Sequence, residues 1–327
     1  AFESSDFTRL NAEIEKREIK ILFFDEIQNI SNWEVFINQK LNEKILVFIT
    51  GSNASLLSKE LGTHLTGRHL STELYPFSYG EFLSFRKLDK NVDSFNNYLQ
   101  TGGMPEYVKN NKGAILQQLI DDILYRDIAV RHNIRHVNAL RELTVFLVSN
   151  IGKQVSERRL TGLFGITATT TISDYFSYLR DSYVVDFVSR FDYSLKAQNR
   201  TPKKVYAIDL GVFHQIKNTF TEDFGRQLEN VVYLQLRRNH KDIFYFDKNG
   251  ECDFVVMNKG KAALCIQVCY KVDDMNMDRE LKGLKSAMKF FGLKDGFILT
   301  HDQTDTFELE GYTIKLIPVW QYLTSEV

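Results

Sequence analysis

The feature that most constrains the fold is residues 21–28, which read ILFFDEIQ. A run of apolar residues ends there in two adjacent carboxylates, Asp25 and Glu26. The run is too short to span a membrane and too continuous for a half-exposed strand. It therefore predicts a strand of a parallel sheet that helices cover on both faces. Ligands of such sheets bind outside the carboxyl ends of the strands, which is where the two acids fall.

Two interpretations of the acidic pair follow from the residues. An Asp at this place can hold Mg²⁺ against a nucleoside triphosphate while the Glu orients the attacking water, as in a Walker B pair. Alternatively, the acids only favour the first turn of the next helix. Residues 44–50, KILVFIT, predict a second buried strand, and Ser52 and Asn53 follow it. Polar side chains at the tip of a strand beside Walker B would sense the γ-phosphate.

Five segments occur in order and at close spacing: DEIQN, ITGSNASLL, LTGRHL, LYPFSYGEFLSF and TGGMPEYV. Together they resemble AAA-type ATP-binding proteins (an AAA_14-like ATPase core) that carry an appended domain of unknown function, DUF4143. The resemblance implies ATP and Mg²⁺ as cofactors of the full-length protein. Asp25 would then reach Mg²⁺, Glu26 would position water, and Ser52 or Asn53 would sense the γ-phosphate. Arg68 would be the arginine sensor or finger, although an exposed loop arginine is the alternative.

A phosphate-binding loop is missing from the sequence. The pattern GxxxxGK[ST], whose backbone N–H groups and lysine hold phosphates, does not occur in the 327 residues. In the resembled family that loop precedes Walker B, and a strand ending in Phe-Glu lies between the two. Phe2 and Glu3 resemble the end of that strand. We therefore expect the chain to begin inside its ATPase domain and to bind neither ATP nor Mg²⁺ well by itself. Truncation and a naturally short chain remain alternatives.

Composition excludes several classes of protein. A formal net charge of −1 argues against a surface built entirely for nucleic acid. Three cysteines without CxxC spacing favour a reducing compartment and offer neither a disulfide framework nor a zinc site. Signal peptides and long apolar segments are absent, so we expect a cytoplasmic protein with no membrane association.

The chain divides into three predicted regions of an α/β protein. Residues 1–105 hold a partial P-loop-type parallel sheet, the ATPase core from Walker B onward. Residues 106–215 form a helical and winged-helix region, and residues 216–327 a PD-(D/E)xK nuclease-like α/β domain, the expected DUF4143 domain. The Gly- and Pro-containing loop at residues 101–105 marks the first boundary.

The winged helix is predicted from a helix-turn-helix pattern over residues 156–181 and a hairpin formed by residues 183–188 and 204–208. The polar tip of the hairpin contains Lys196, Arg200, Lys203 and Lys204. Such a fold can place its second helix in the major groove of DNA, but here that helix offers mainly threonines, which read bases poorly. A packing or oligomer module is the alternative, so DNA, a protein or a second copy of the chain is the expected partner.

The last region contains remnants of a nuclease motif. Glu229 lies on a predicted helix, Asp253 on a hairpin strand, and Gln267 where a second acid would be expected. Cys269 stands where the motif needs a lysine, and Lys271 would be a substitute on the same strand face. The departures favour a degenerate nuclease fold used for docking or for binding nucleic acid. An active Mg²⁺-dependent nuclease and a pair of merely solvated acids are the alternatives.

The sequence thus indicates a fragment of an ATP-binding AAA-family protein, with ATP hydrolysis in the full-length chain and an inactive nuclease-like domain. A non-catalytic DNA- or protein-binding module is the alternative, and a Mg²⁺-dependent nuclease is the third reading. Whether this chain is itself an enzyme is left open, because the phosphate-binding loop is missing and the nuclease motif is degenerate.

Overall fold

A computed structural model describes residues 3–27, 30–51, 67–218 and 223–325 of the chain. The chain forms two compact units. The N-terminal unit comprises residues 1–74 with residues 181–183, and the C-terminal unit comprises residues 75–180 with residues 184–327. Within the described residues, no helix combines the length and the apolar content that crossing a bilayer requires.

The N-terminal unit alternates helices and strands: α1 (Asp6–Lys16), β1 (Ile21–Phe24), α2 (Trp33–Asn42) and β2 (Leu46–Ile49). The strands β1 and β2 pair in parallel, as the sequence predicts. Apolar side chains of the two helices and of β1 form the core, because the helical spacing of Trp33, Phe36 and Ile37 places them on one face of α2.

The prediction that helices cover both faces of the first strands is wrong for the described residues. Leu22 is buried with α1 and α2, but Ile21 and Phe23 on the other face of β1 are 50% and 76% exposed. Leu46 and Phe48 of β2 are also exposed, and the rings of Phe23 and Phe48 stack with centroids 4.8 Å apart. Successive side chains of a strand point to opposite faces, and the described helices α1 and α2 cover one of them.

The C-terminal unit begins with helices. In chain order they are α3 (Tyr79–Arg86), α4 (Val92–Thr101), α5 (Pro105–Asn110), α6 (Gly113–Asp122), a π-helix (Ile123–Val130) and α7 (Val137–Ser149). The sequence also predicts a short strand before α3, and this is wrong. Residues 71–78 are not in a strand: the Phe77 N–H donates to the Gly103 carbonyl at 2.7 Å, and Ser78 caps α3 through a reciprocal bond pair with Glu81.

The remaining elements alternate between strands and helices. They are β3 (Gln154–Val155), α8 (Glu157–Leu160), α9 (Thr169–Asp181), β4 (Val185–Arg190), α10 (Leu195–Arg200), β5 (Lys203–Ala207), α11 (Leu210–Ile216), α12 (Phe224–Asn239), β6 (Asp242–Asp247), β7 (Glu251–Asn258), β8 (Lys261–Val268), α13 (Met277–Phe291), β9 (Asp295–Thr300), β10 (Asp305–Leu309), β11 (Tyr312–Pro318) and α14 (Val319–Tyr322).

The described strands of this unit form one nine-stranded sheet in the order β10-β11-β9-β8-β7-β6-β4-β5-β3. The strand β4 lies between β6 and β5 and so connects the part of the sheet from β10 to β6 with the part formed by β5 and β3. Val185 to Val188 pair with β5 in antiparallel fashion, whereas Ser189 and Arg190 pair with β6 in parallel. The helix α13 packs on β7, β8 and β9, and the buried residues between them include Leu284, Met288 and Ile298.

Candidate functional site

The first candidate site is the carboxyl end of the β1–β2 pair, here called the Asp25 edge (Asp25, Glu26 and Thr50). Asp25 and Glu26 directly follow β1, and Thr50 directly follows β2. The Thr50 N–H donates to the Phe24 carbonyl at 2.8 Å, which continues the ladder to the tips of the strands. Parallel pairing therefore places the acids and Thr50 side by side, as expected for neighbouring strand ends.

A hydroxyl bridges the two acidic residues. The Thr50 hydroxyl donates to Asp25 Oδ1 in a short hydrogen bond and accepts the Glu26 backbone N–H at 3.3 Å. Sequence reasoning missed Thr50, although it is the last residue of the predicted second strand. The sequence does contain a signal for it. When two predicted strands pair in parallel, the residue at the end of the second strand lies beside the acids at the end of the first.

The backbone at Glu26 is unusual. Its φ of +50° lies in the left-handed region, which non-glycine residues rarely adopt. The exposed Asp25 precedes it and the fully buried Ile27 follows it, so the turn is anchored on one side. Other described non-glycine residues, Glu18, Asn32 and Lys44 among them, share this region, so the conformation sets the turn after Asp25 and does not by itself identify a site.

Three other residues are predicted for this site: Ser52, Asn53 and Arg68. Ser52 and Asn53 lie outside the described residues. The described hydrogen bonds of Arg68 run from its guanidinium to Asn38 and Asn42 of α2, at 3.1 and 2.8 Å. The function of Arg68 as a sensor or finger stays a prediction.

The second candidate site is a buried group of charges in the C-terminal unit, here called the Lys204 cluster (Lys204, Glu229, Glu251 and Asp253). The Lys204 ammonium lies 2.7 Å from Asp253 Oδ1, 3.0 Å from Glu229 Oε1 and 2.6 Å from Glu251 Oε1. The side chain of Lys204 is 2% exposed, and only Glu251, at 40%, reaches solvent substantially. The structure thus brings Glu229 and Asp253 together, around a lysine that sequence reasoning assigned elsewhere.

The placement of Lys204 at an exposed wing tip is wrong. Lys204 lies within β5, and Tyr206 two residues later lies on the same strand face, since side chains alternate with period two. Tyr206 donates its hydroxyl proton to Glu229 Oε1 at 2.7 Å. A lysine and a tyrosine spaced by two on one face of a strand whose other residues include Val205 and Ala207 are the signal that could have revealed a buried polar partner.

Burial and charge set the protonation of the cluster. Burial alone would lower the pKa of Lys204, but the carboxylates of Asp253, Glu229 and Glu251 outweigh it and raise that pKa well above its ordinary value. Burial raises the pKa of Glu229 to about 7, against the opposing effect of the Lys204 ammonium. One ammonium cannot neutralise three carboxylates, so the cluster favours a proton on Glu229.

The remaining lone pairs of the cluster are used internally. Asp253 Oδ2 accepts the Val268 N–H at 2.9 Å. Gln267 accepts the Asp253 N–H at 3.2 Å and donates its amide to Glu280 at 2.7 Å, so both ends of this amide are engaged. A β-carbon at residue 152 would lie 2.9 Å from Glu229 Oε2, which shows how closely the backbone of Gly152 covers that atom. The ammonium of Lys204 therefore lies where the carboxylates of Glu229 and Asp253 converge.

The last predicted member of this site is not part of it. The strand β8 ends at Val268, so the prediction that Lys271 continues the same strand face is wrong. Lys271 is exposed, and its carbonyl accepts hydrogen bonds from Cys269 and Asn276. Across the described residues, no group of three or more His, Cys, Asp and Glu residues is arranged to hold a metal ion.

Comparisons with known proteins connect the two units with different families. An AAA domain matches residues 1–83, and a domain of unknown function, DUF8612, matches residues 92–223. The first match supports a relationship to AAA-type ATPases. The second shows DUF8612 in place of the expected DUF4143 domain.

Three similar proteins have no described function. The uncharacterized protein MJ1544 of Methanocaldococcus jannaschii is 32% identical over 336 residues, which cover 94% of this chain and 75% of that protein. An uncharacterized protein of Haemophilus influenzae is 27% identical, with 97% of this chain and 82% of that protein covered. The uncharacterized protein MJ1637 of M. jannaschii is 20% identical, with 76% and 61% covered. No solved structure matches the chain.

Proposed function

The chain belongs to the protein family that includes the uncharacterized protein MJ1544, and from this premise we propose that the AAA domain serves ATP hydrolysis at the Asp25 edge. One observation carries the proposal. Two carboxylates follow a strand of a parallel pair, and the hydroxyl of Thr50 at the neighbouring strand tip holds the first of them. This is the arrangement that a metal-bound triphosphate requires at the carboxyl edge of a sheet.

The residues at this edge fit a magnesium ion. Asp25 is exposed, and in the described part of the chain its Oδ2 has no protein donor, while Thr50 holds Oδ1. Carboxylate oxygen is a ligand that Mg²⁺ prefers, directly or through water. When bound, the ion would neutralise charge on the phosphates.

Glu26 would act on water instead of on the metal. Its backbone N–H is tied to Thr50, and it follows Asp25 in a left-handed backbone conformation. It would hold the attacking water by hydrogen bonding and accept its proton, as a positioned carboxylate can. Thr50 would be a positioning residue for both acids.

Phosphate release by the complete gene product, read from its start codon, tests the proposal. We expect Glu26→Gln to lower kcat at least about 100-fold, because positioned bases contribute that much, while nucleotide binding is retained. Glu13→Gln on the exposed face of α1 serves as the control and should leave kcat unchanged. Hydrolysis that survives Glu26→Gln, or a wild type that hydrolyses no ATP, would contradict the proposal.

A second candidate function concerns the C-terminal unit, which we propose to be a binding module without turnover. The order of its elements α7, β3, α8, α9, β4 and β5, with the strand order β3-β5-β4, supports a winged helix as one part of this module. The strands β6 to β9 with α12 and α13 would be the degenerate nuclease-like part. The helix α9 would face DNA, but its first turn offers Thr169 and Thr170, which are weak readers of bases.

The Lys204 cluster supports a module that does not cut. A cleaving centre needs carboxylates that converge on a metal, yet here the Lys204 ammonium lies between Glu229 and Asp253. We expect no nicking of supercoiled DNA by the chain in Mg²⁺ or Mn²⁺. Nicking that depends on the metal and disappears in Asp253→Ala would show an active nuclease and overturn this assignment.

A further inference from the structure

The segment between β4 and β5 presents aromatic rings to solvent. Tyr193 is 82% exposed, and its ring centroid lies 5.2 Å from that of Phe191 and 6.1 Å from that of Phe290. Phe290 at the end of α13 is 37% exposed and carries the Lys248 ammonium 4.5 Å above its ring. Two accessible rings with a cation beside them thus come together from three parts of the chain.

The same segment is locally basic, in contrast to the chain as a whole. Residues 190–203 contain four basic residues and one acid, Asp192, whereas the formal net charge of the chain is −1. The carboxylate of Asp192 accepts the Ser194 N–H at 2.9 Å. Lys196 and Arg200 are exposed and one turn apart on α10, and within the described residues no carboxylate pairs with either. Like charges at this spacing repel, so an anion bound between them would be favourable.

The segment is held in place before anything binds. Gln198 donates to the Asp192 carbonyl at 2.6 Å, and the Tyr245 hydroxyl donates to the Pro202 carbonyl at 2.7 Å. The strands β4 and β5 fix its two ends. Little backbone conformational entropy is therefore lost when a ligand binds to this segment.

We propose that this surface, the Tyr193 platform (Tyr193, Lys196, Arg200, Lys248 and Phe290), binds single-stranded nucleic acid. A base stacks on the exposed ring of Tyr193, beside Phe290 and the Lys248 ammonium over it, and phosphates meet the three cations, which is the combination that single-strand binding uses. A duplex hides the faces of its bases, so it leaves the rings unused. Binding here needs neither ATP hydrolysis nor the Lys204 cluster.

Fluorescence anisotropy with a labelled oligodeoxythymidylate of about 15 nucleotides tests the proposal on the full chain. We expect binding that weakens linearly with the logarithm of salt concentration and that exceeds binding to the matching duplex. Tyr193→Ala should weaken binding about 5- to 100-fold, because each stacked base contributes strongly, whereas Tyr193→Phe keeps the ring and should bind like the wild type.

Charge reversal provides an independent arm. Lys196→Glu with Arg200→Glu should abolish binding at moderate salt. Lys259→Glu in the turn after β7, combined with Lys261→Glu at the exposed start of β8, should leave binding unchanged. All four sites are solvent-exposed or on a turn, so thermal unfolding should confirm that each variant folds. Absence of binding at low salt, a preference for duplex, or equal binding by both double variants would overturn the proposal. Capture of an acidic peptide in place of the oligonucleotide would overturn it as well.

Discussion

The Asp25 edge and the Lys204 cluster both gather carboxylates, yet they handle the charge in opposite ways. Asp25 is exposed, and the neutral hydroxyl of Thr50 supports it. Glu229 and Asp253 are buried, and the ammonium of Lys204 lies against both. A carboxylate in solvent can accept a metal ion from solution, whereas buried carboxylates that already contact an ammonium must first lose that internal cation. Proximity of acids alone therefore does not identify a metal site.

The largest effect that would test this comparison is the removal of the internal cation. Lys204→Met should lower the free energy of unfolding by about 3–5 kcal/mol, because it leaves buried carboxylates without a counter-charge. Urea denaturation measures the change. Lys203→Met, the neighbour on the other strand face, should stay within about 0.5 kcal/mol of the wild type. Equal losses in both variants would show that Lys204 is not the cation of the cluster.

The second-largest expected effect is a pH dependence of stability that comes from the Lys204 cluster and not from the Asp25 edge. Burial raises the pKa of Glu229 from 4.5 to about 7. The native state then binds the proton more tightly, so the stabilisation is complete below about pH 4.5 and is lost as the pH rises through 7. The pKa difference corresponds to about 3 kcal/mol at most.

Unfolding in urea between pH 5 and pH 8 measures this dependence. The variant Glu229→Gln cannot titrate and should flatten the profile over that range, while Asp25→Asn at the exposed edge should leave the profile unchanged. If the stabilities of the wild type and of Glu229→Gln change by the same amount between pH 5 and pH 8, the titration is not that of Glu229.

The smallest effect concerns the hydroxyl at the exposed edge. Thr50→Val removes the hydrogen bonds to Asp25 and Glu26 but keeps the shape of the side chain, so we expect a loss of about 0.5–1 kcal/mol. Thr50→Ser keeps the hydroxyl and should retain most of that energy. The two variants are compared by urea denaturation, and identical losses would mean that the hydroxyl contributes nothing to this edge.

Several features of the fold could be read from the sequence because they depend on local periodicity. The parallel pair of β1 and β2 follows from two apolar runs that are linked by a helix. The helix α12 and the strands β6 to β8 were predicted within a few residues of their observed ends. Asp253 and Gln267 lie side by side because β7 and β8 pair, with Phe254 opposite Ile266.

Other features depend on tertiary contacts that periodicity does not specify. Lys204 is a basic residue beside a polar tip, and only the approach of α12 and β7 turns it inward. The exposure of Ile21 and Phe23 reflects which helices cover β1, and not the apolar character of the strand itself. The strand β10, DTFEL, was missed because its alternating polar residues resemble a loop until it pairs with β11.

The double pairing of β4 has a mechanical consequence. Four of its residues are bonded to β5 and the next two to β6, so the backbone passes from one ladder to the other without an intervening hinge. A force applied to the segment after Arg190 is therefore resisted by both neighbouring strands at once. Strain from such a force would spread along β5 and β6, because no unpaired segment of β4 separates the two pairings.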